Sequence, residues 1–269
     1  MILRPLEPVA PLDRPLNLDR PLNKDKFVPA WPVVECTQQE KYTSCWLITQ
    51  PSHAALAGEI AGKLIAPNVP KLDAELIQAI ALHDAGWGLL DAQAITQSRS
   101  SHQQRPASFL ATGVAEFLAA WDKSIVVAES VCAAGGYIVR RHFQRLAEQG
   151  LSTTEHDQQT KKKAQDFLEH EAHRQKKLAA SQTRSAEELE LLTDVLQFCD
   201  LLSLYICCGA SESVEFPEYF GIKARLSVAD EGYKLEPALV ESGSHFSVAA
   251  LRHPATKEVS GQKIEVKVV

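Results

Sequence analysis

No stretch of this sequence approaches the roughly 18 continuous apolar residues that a membrane-spanning helix needs. Its first residues, MILRPLEPVAPLDRPLNLDRPLNK, hold no apolar core of signal-peptide length and are broken by prolines. Positive charge is not in excess: 28 Lys and Arg stand against 34 Asp and Glu, a net charge of −6. That balance argues against nucleic acid or an anionic membrane as the main partner. None of the six cysteines (Cys36, Cys45, Cys132, Cys199, Cys207, Cys208) forms a CxxC pair. Without an export signal they read as reduced thiols of a cytoplasmic protein, and the adjacent Cys207 and Cys208 as core packing.

What is present is ordinary globular composition: 269 residues, 45% hydrophobic and 23% charged. That length suits one large domain with an appendage, or two smaller ones. Residues 1–30 contain the short repeat DRPLNLDRPLN. Proline at this density forbids helix, so we expect an extended arm that straps onto the body or joins copies into a homo-oligomer. The segment 31–50 is rich in β-branched and aromatic residues and predicts one or two strands. Helical periodicity then dominates to residue 208, with helices expected at 52–66, 72–84, 108–121, 124–148, 155–180 and 185–208. Residues 155–180 are so polar that only a narrow stripe is expected to be buried. From 209 to 269 the pattern alternates (KARLSVAD, YKLEPALV, HFSVAALRH, KIEVKVV) and predicts a small β region. The fold class expected is therefore mainly α.

Within the helical part, four ionisable residues sit where apolar ones belong. In AIALHDAGWG, Leu76, Ile80 and His83 fall on one helix face, with Asp84 next and Gly86 and Gly88 read as the stop. His53 shares a face with Ala57, Ile60 and Leu64, and Asp200 lies between Leu196 and Leu204. Each alone reads as a hydrogen-bonded core residue. Together they point to a common partner, because a carboxylate on an apolar face costs several kcal/mol to desolvate unless paired or bound to metal. A divalent ion (Fe, Mn, Co, Ni, Zn or Mg) satisfies two imidazoles and two carboxylates at once. At a helix end, where the chain turns, adjacent His83 and Asp84 both reach it.

An ordered His53, His83–Asp84 and Asp200 resembles the HD superfamily of metal-dependent phosphohydrolases. More narrowly, ITQPSHAALAG, AIALHDAGWGLLD and FCDLLSLYICC resemble the uncharacterised bacterial domain-of-unknown-function family 3891, over about residues 31–269. The resemblance implies an HD-domain-like helical bundle over 31–208, with His53, His83, Asp84 and Asp200 as metal ligands. It implies hydrolysis of a phosphomonoester or phosphodiester, with a small phosphorylated molecule as substrate and Asp84 orienting the attacking water. Where many catalytic relatives carry a lysine after the pair, this chain has Ala85, Gly86 and Trp87. His102 and His142 are the candidates for a further histidine. His142 stands among Arg140, Arg141 and Arg145. These read either as phosphate capture with His142 as acid, or as a basic solvated face. Trp87 reads as a substrate-stacking residue or as core. The rival function is a non-catalytic metal- or ligand-binding sensor.

Overall fold

The computed structural model describes residues 1–6, 44–100, 108–109, 112–153, 158–180, 183–210, 213–230, 232–255 and 261–269. Most of the proline-rich arm, residues 31–43 of the stretch expected to hold one or two strands, and His102 lie outside them.

The chain runs β1 (Ile2–Pro5), β2 (Cys45–Ile48), α1 (Gln50–Gly62), α2 (Ala74–Ala81), a 3-10 turn (Ala85–Trp87) and α3 (Gly88–Ser100). It continues through α4 (Val114–Val131), α5 (Ala133–Thr153), α6 (Gln158–Ala180) and α7 (Ala186–Cys208). The last strands are β3 (Val214–Tyr219), β4 (Ile222–Ala229), β5 (Gly232–Glu236), β6 (Ser244–His253) and β7 (Gln262–Val268).

The seven strands form one mixed sheet in the order β1-β2-β6-β7-β5-β4-β3, curled as a half-barrel. This overturns the mainly α expectation and the HD-like helical bundle with a separate small β region. Strands from both ends of the chain share the sheet, because β2 pairs antiparallel with β6 (Cys45 opposite His253) and β1 pairs with β2. The physical reason lies in α7. It is apolar on every side, with buried residues around its whole circumference from Leu192 to Cys208, and such a helix must be covered all round. Helices α1 and α5 cover one side, while β1 and β3 lie against the other. Phe216 and Tyr219 of β3 meet Phe198 of α7 edge-on or tilted at 5.6 and 5.9 Å. By length and composition α7 could cross a bilayer, but 89% of that window is buried within the fold. It is the core helix.

The strands alternate buried and exposed residues, as in β6, so one face of the sheet packs inward. The first residues belong to this core: Met1 and Ile2 are buried, and Arg4 donates from Nη1 to the Ile206 carbonyl of α7 at 2.8 Å. Asp91 of α3 receives both the Met1 ammonium at 2.6 Å and the Gln50 backbone N–H at 2.6 Å. It thereby ties β1 to the start of α1.

Helix α3 falls in a stretch where the sequence predicts none. The expected helices 108–121 and 124–148 become α4 and α5, parted at Cys132, whose backbone is extended. Gly58 explains how α1 and α2 approach so closely. A Cβ there would lie 2.5 Å from the Ala81 Cβ.

Candidate metal centre

Each ligand candidate is carried by a different part of this scaffold. Thr49 caps α1, its hydroxyl accepting from the Ser52 N–H at 3.1 Å, and one turn later His53 faces inward. Asp73 caps α2 by accepting from Leu76 N–H at 2.8 Å. That helix ends at Ala81, with Leu82 as its C-cap, so His83 and Asp84 stand in the following turn. Gly86 and Gly88 do not end the helix. Gly88 has helical backbone and opens α3, while Gly86 sits against α4, where an added Cβ would lie 2.0 Å from the Ala120 carbonyl oxygen. We expect Gly86→Ala to destabilise the fold by about 1–3 kcal/mol, since backbone must move to admit the methyl. Urea denaturation checks this, and an unchanged midpoint would refute the close-packing account.

The four side chains converge. His53 Nε2 lies 2.9 Å from Asp84 Oδ2 and 3.7 Å from Asp200 Oδ1. His83 Nε2 lies 3.3 Å from Asp200 Oδ1 and 3.7 Å from Asp84 Oδ2. Ligands bound at roughly 2.0–2.2 Å to one ion sit about 2.8–3.6 Å apart; two of these separations fall in that range and two, at 3.7 Å, lie just above it. His53, His83 and Asp200 form a buried group able to hold a metal ion.

Hydrogen bonds fix the imidazoles for that task. The Ser203 hydroxyl donates to the Asp200 carbonyl at 2.7 Å, so its oxygen accepts from His53 Nδ1–H at 2.8 Å. His83 Nδ1–H donates to the Ile80 carbonyl at 2.8 Å. In their neutral forms both rings therefore turn an unprotonated Nε2 toward the two carboxylates. Acceptors facing acceptors need a cation between them, or a proton. Burial pulls the His83 pKa down, but the Asp84 charge and the contact with Asp200 outweigh it and hold it up at about 9. Burial pushes Asp200 up, yet His83, His142 and His53 together hold it down at about 2. A proton on His83 is thus what balances the carboxylates, a place that a divalent ion could take.

His142 of α5 joins the cluster, with Nε2 3.7 Å from Asp200 Oδ2 and its ring 5.7 Å from that of His83. Burial lowers its pKa to about 4 against the pull of Asp200, so it is neutral at pH 7.

The neighbouring arginines point elsewhere. Arg140 is fully buried, its Nε 2.5 Å from Glu171 of α6 and its Nη2 3.2 Å from Glu129 of α4. Arg141 is held by Glu190 at 3.2 Å and Glu148 at 3.6 Å. Arg145 pairs with Glu190 at 2.6 Å and Asp194 at 2.7 Å, and also donates to Gln197. These guanidiniums clamp α5 to its neighbours, and none of these contacts reaches the metal ligands.

A narrow cavity opens beside the ligands. His53, Asp84, His142 and Asp200 line one end, and Gln50, Trp87, Phe117, Trp121, Phe143, Leu146 and Leu204 the rest. Trp87 is buried, edge-on to Phe117 at 4.7 Å. Sequence reasoning missed Ser203 and Gln50. Ser203 left a trace, since it follows Asp200 by three residues and so shares its helix face. Gln50, the first residue of α1, left none. A second group, Asp122, His170 and Glu171, also has metal-ligand spacing. It is threaded by Arg174 and Arg140, which neutralise it.

No curated protein and no solved structure matches this chain. A family model described as "Protein of unknown function (DUF3891)" matches residues 37–241. The match takes in His53, His83, Asp84, His142 and Asp200 but stops before β6, short of the end at residue 269 expected from the sequence. On that coverage the chain belongs to the DUF3891 family, proteins of unknown function.

Proposed function

We propose that this protein binds one divalent transition-metal ion through His53, His83, Asp84 and Asp200 and hydrolyses a small phosphoester there. The observation that carries the reading is that each of the two imidazole Nε2 atoms lies 2.9–3.7 Å from both carboxylates. Both rings are held by Ser203 and Ile80 in the orientation that a metal requires. The order of these residues resembles that of the HD superfamily, and kinship with it is part of the proposal.

A bound ion supplies Lewis acidity, lowering the pKa of water and polarising a phosphoryl oxygen. The protein's own groups do the rest. Asp84 and Asp200 bring the negative charge that holds the cation. His142, neutral and beside Asp200, is placed to take or give a proton. The rival, a sensor that binds metal and ligand without turnover, is favoured by one observation: Arg140, Arg141 and Arg145 are all held by carboxylates.

Metal analysis of purified protein and a screen of phosphate esters test the proposal. We expect one ion per chain and ester hydrolysis that His83→Ala abolishes. Metal without hydrolysis of any monoester, diester or nucleotide would give the sensor reading first place. Protein that takes up no divalent ion would overturn both.

A further inference from the structure

The cavity beside the metal ligands has room for about one water-sized group, so an organic ligand reaches them only if a wall moves. Two sides are fixed. Gln50 and His53 stand on α1, and Asp200 and Leu204 on α7, the core helix. A third side is aromatic. Trp121 of α4 stacks on Phe143 of α5 at 4.8 Å, and both line the cavity. Phe167 of α6 is no part of that lining but packs on the same indole at 5.8 Å.

Helix α6 is held unlike the core helix. It rests on α5 and α4. Among its described side chains only Ala164 and Glu171 are buried, with the apolar Phe167, Leu168 and Leu178 partly so. Charges make the rest of the joint: Glu171 pairs with Arg140, and Arg174 with Asp122 at 3.2 Å and Glu129 at 3.3 Å. Arg140 Nη1 is buried there without a hydrogen bond. A buried ion pair adds little net stability, because each charge gives up its hydration to form it. When α6 lifts, Arg140 and Glu171 regain that water and little apolar surface is bared. An element with so few buried apolar contacts opens locally, well below the free energy of global unfolding.

We propose that α6 is a displaceable cover on the cavity. Its lifting from α4 and α5 withdraws Phe167, lets the Trp121 ring swing outward and admits the organic part of a ligand to the metal ligands. The device serves a hydrolysed substrate and a sensed ligand alike, so it stands apart from the choice between those readings.

Hydrogen–deuterium exchange of the full-length protein, read by peptide mass spectrometry, measures the lifting. We expect the amides of α6 to exchange at least about tenfold faster than those of α7. Fluorine NMR of protein labelled with 5-fluorotryptophan reports the wall, the Trp121 signal being the one lost in Trp121→Phe. The double variant Arg140→Met/Glu171→Leu puts an apolar pair in the joint and holds α6 down. It should slow α6 exchange by about tenfold, leave α7 exchange unchanged and shift the Trp121 signal. Glu171→Gln loosens the joint, should speed α6 exchange and move the Trp121 signal the other way, and serves if the double variant fails to fold. Exchange in α6 as slow as in α7, or no response of α6 exchange to either variant, overturns the cover. A Trp121 signal that stays put while α6 exchange changes overturns its link to the cavity.

Discussion

Arg140→Met should lower the melting temperature by about 6–20 °C. Removing one partner of a buried ion pair costs about 3–5 kcal/mol, because the other charge is left in an apolar setting. For a domain of this size each kcal/mol moves the midpoint by about 2–4 °C. The partner here is Glu171, fully buried on α6 and fixed to Arg140 Nε; Arg174 at 3.5 Å and His170 at 2.9 Å still face it, which places the expected loss toward the lower end of that range. Against a total stability of roughly 5–15 kcal/mol the loss is severe. Adding Glu171→Leu should restore much of it, since an apolar pair of similar volume is often as stable as the ion pair it replaces. A melting curve unchanged in Arg140→Met would show that Glu171 does not depend on this guanidinium.

Exhaustive chelation should lower the melting temperature by about 5–10 °C. A ligand at 100 times its Kd that binds only the folded state contributes about 2.7 kcal/mol, with the same conversion to degrees. Asp200→Ala should remove this sensitivity, because the ion then lacks a carboxylate that approaches both His53 and His83. Calorimetry with and without chelator measures both effects. A wild-type curve indifferent to chelator would mean that the proton on His83 alone balances the cluster.

How much of this was legible in the sequence depended on whether the signal was local. His53, His83, Asp84 and Asp200 stood out because each broke an apolar helix face, a contrast visible within two turns. The arginines beside His142 could not be placed the same way. Whether Arg140 meets a phosphate or a carboxylate turns on Glu171, and only the packing of α5 on α6 sets that contact. Helix α3 was hidden because GLLDAQAITQSRS has no apolar stripe to read. Strands β1 and β3 were hidden for a different reason. ILRP is four residues long and VEFPEY carries a proline and two glutamates, so neither announces a strand; β1 is held by β2, some forty residues on, and β3 by β4, the strand that follows it. The misjudged fold class follows from that. Alternation after residue 209 was visible, but nothing in it says that the sheet is completed by the first residues of the chain.

That closure has a consequence for how the protein is made. As the ribosome delivers the chain, α7 emerges with one side able to dock on α1 and α5 and the other bare, since β3 to β7 follow it and β1 joins the sheet only through β2 and β6. Pairing between Cys45 and His253 must wait until some two hundred further residues have been made, and contacts of such long range are slow to form. During that interval this core helix is half uncovered, and exposed apolar surface of that kind favours aggregation of the nascent chain.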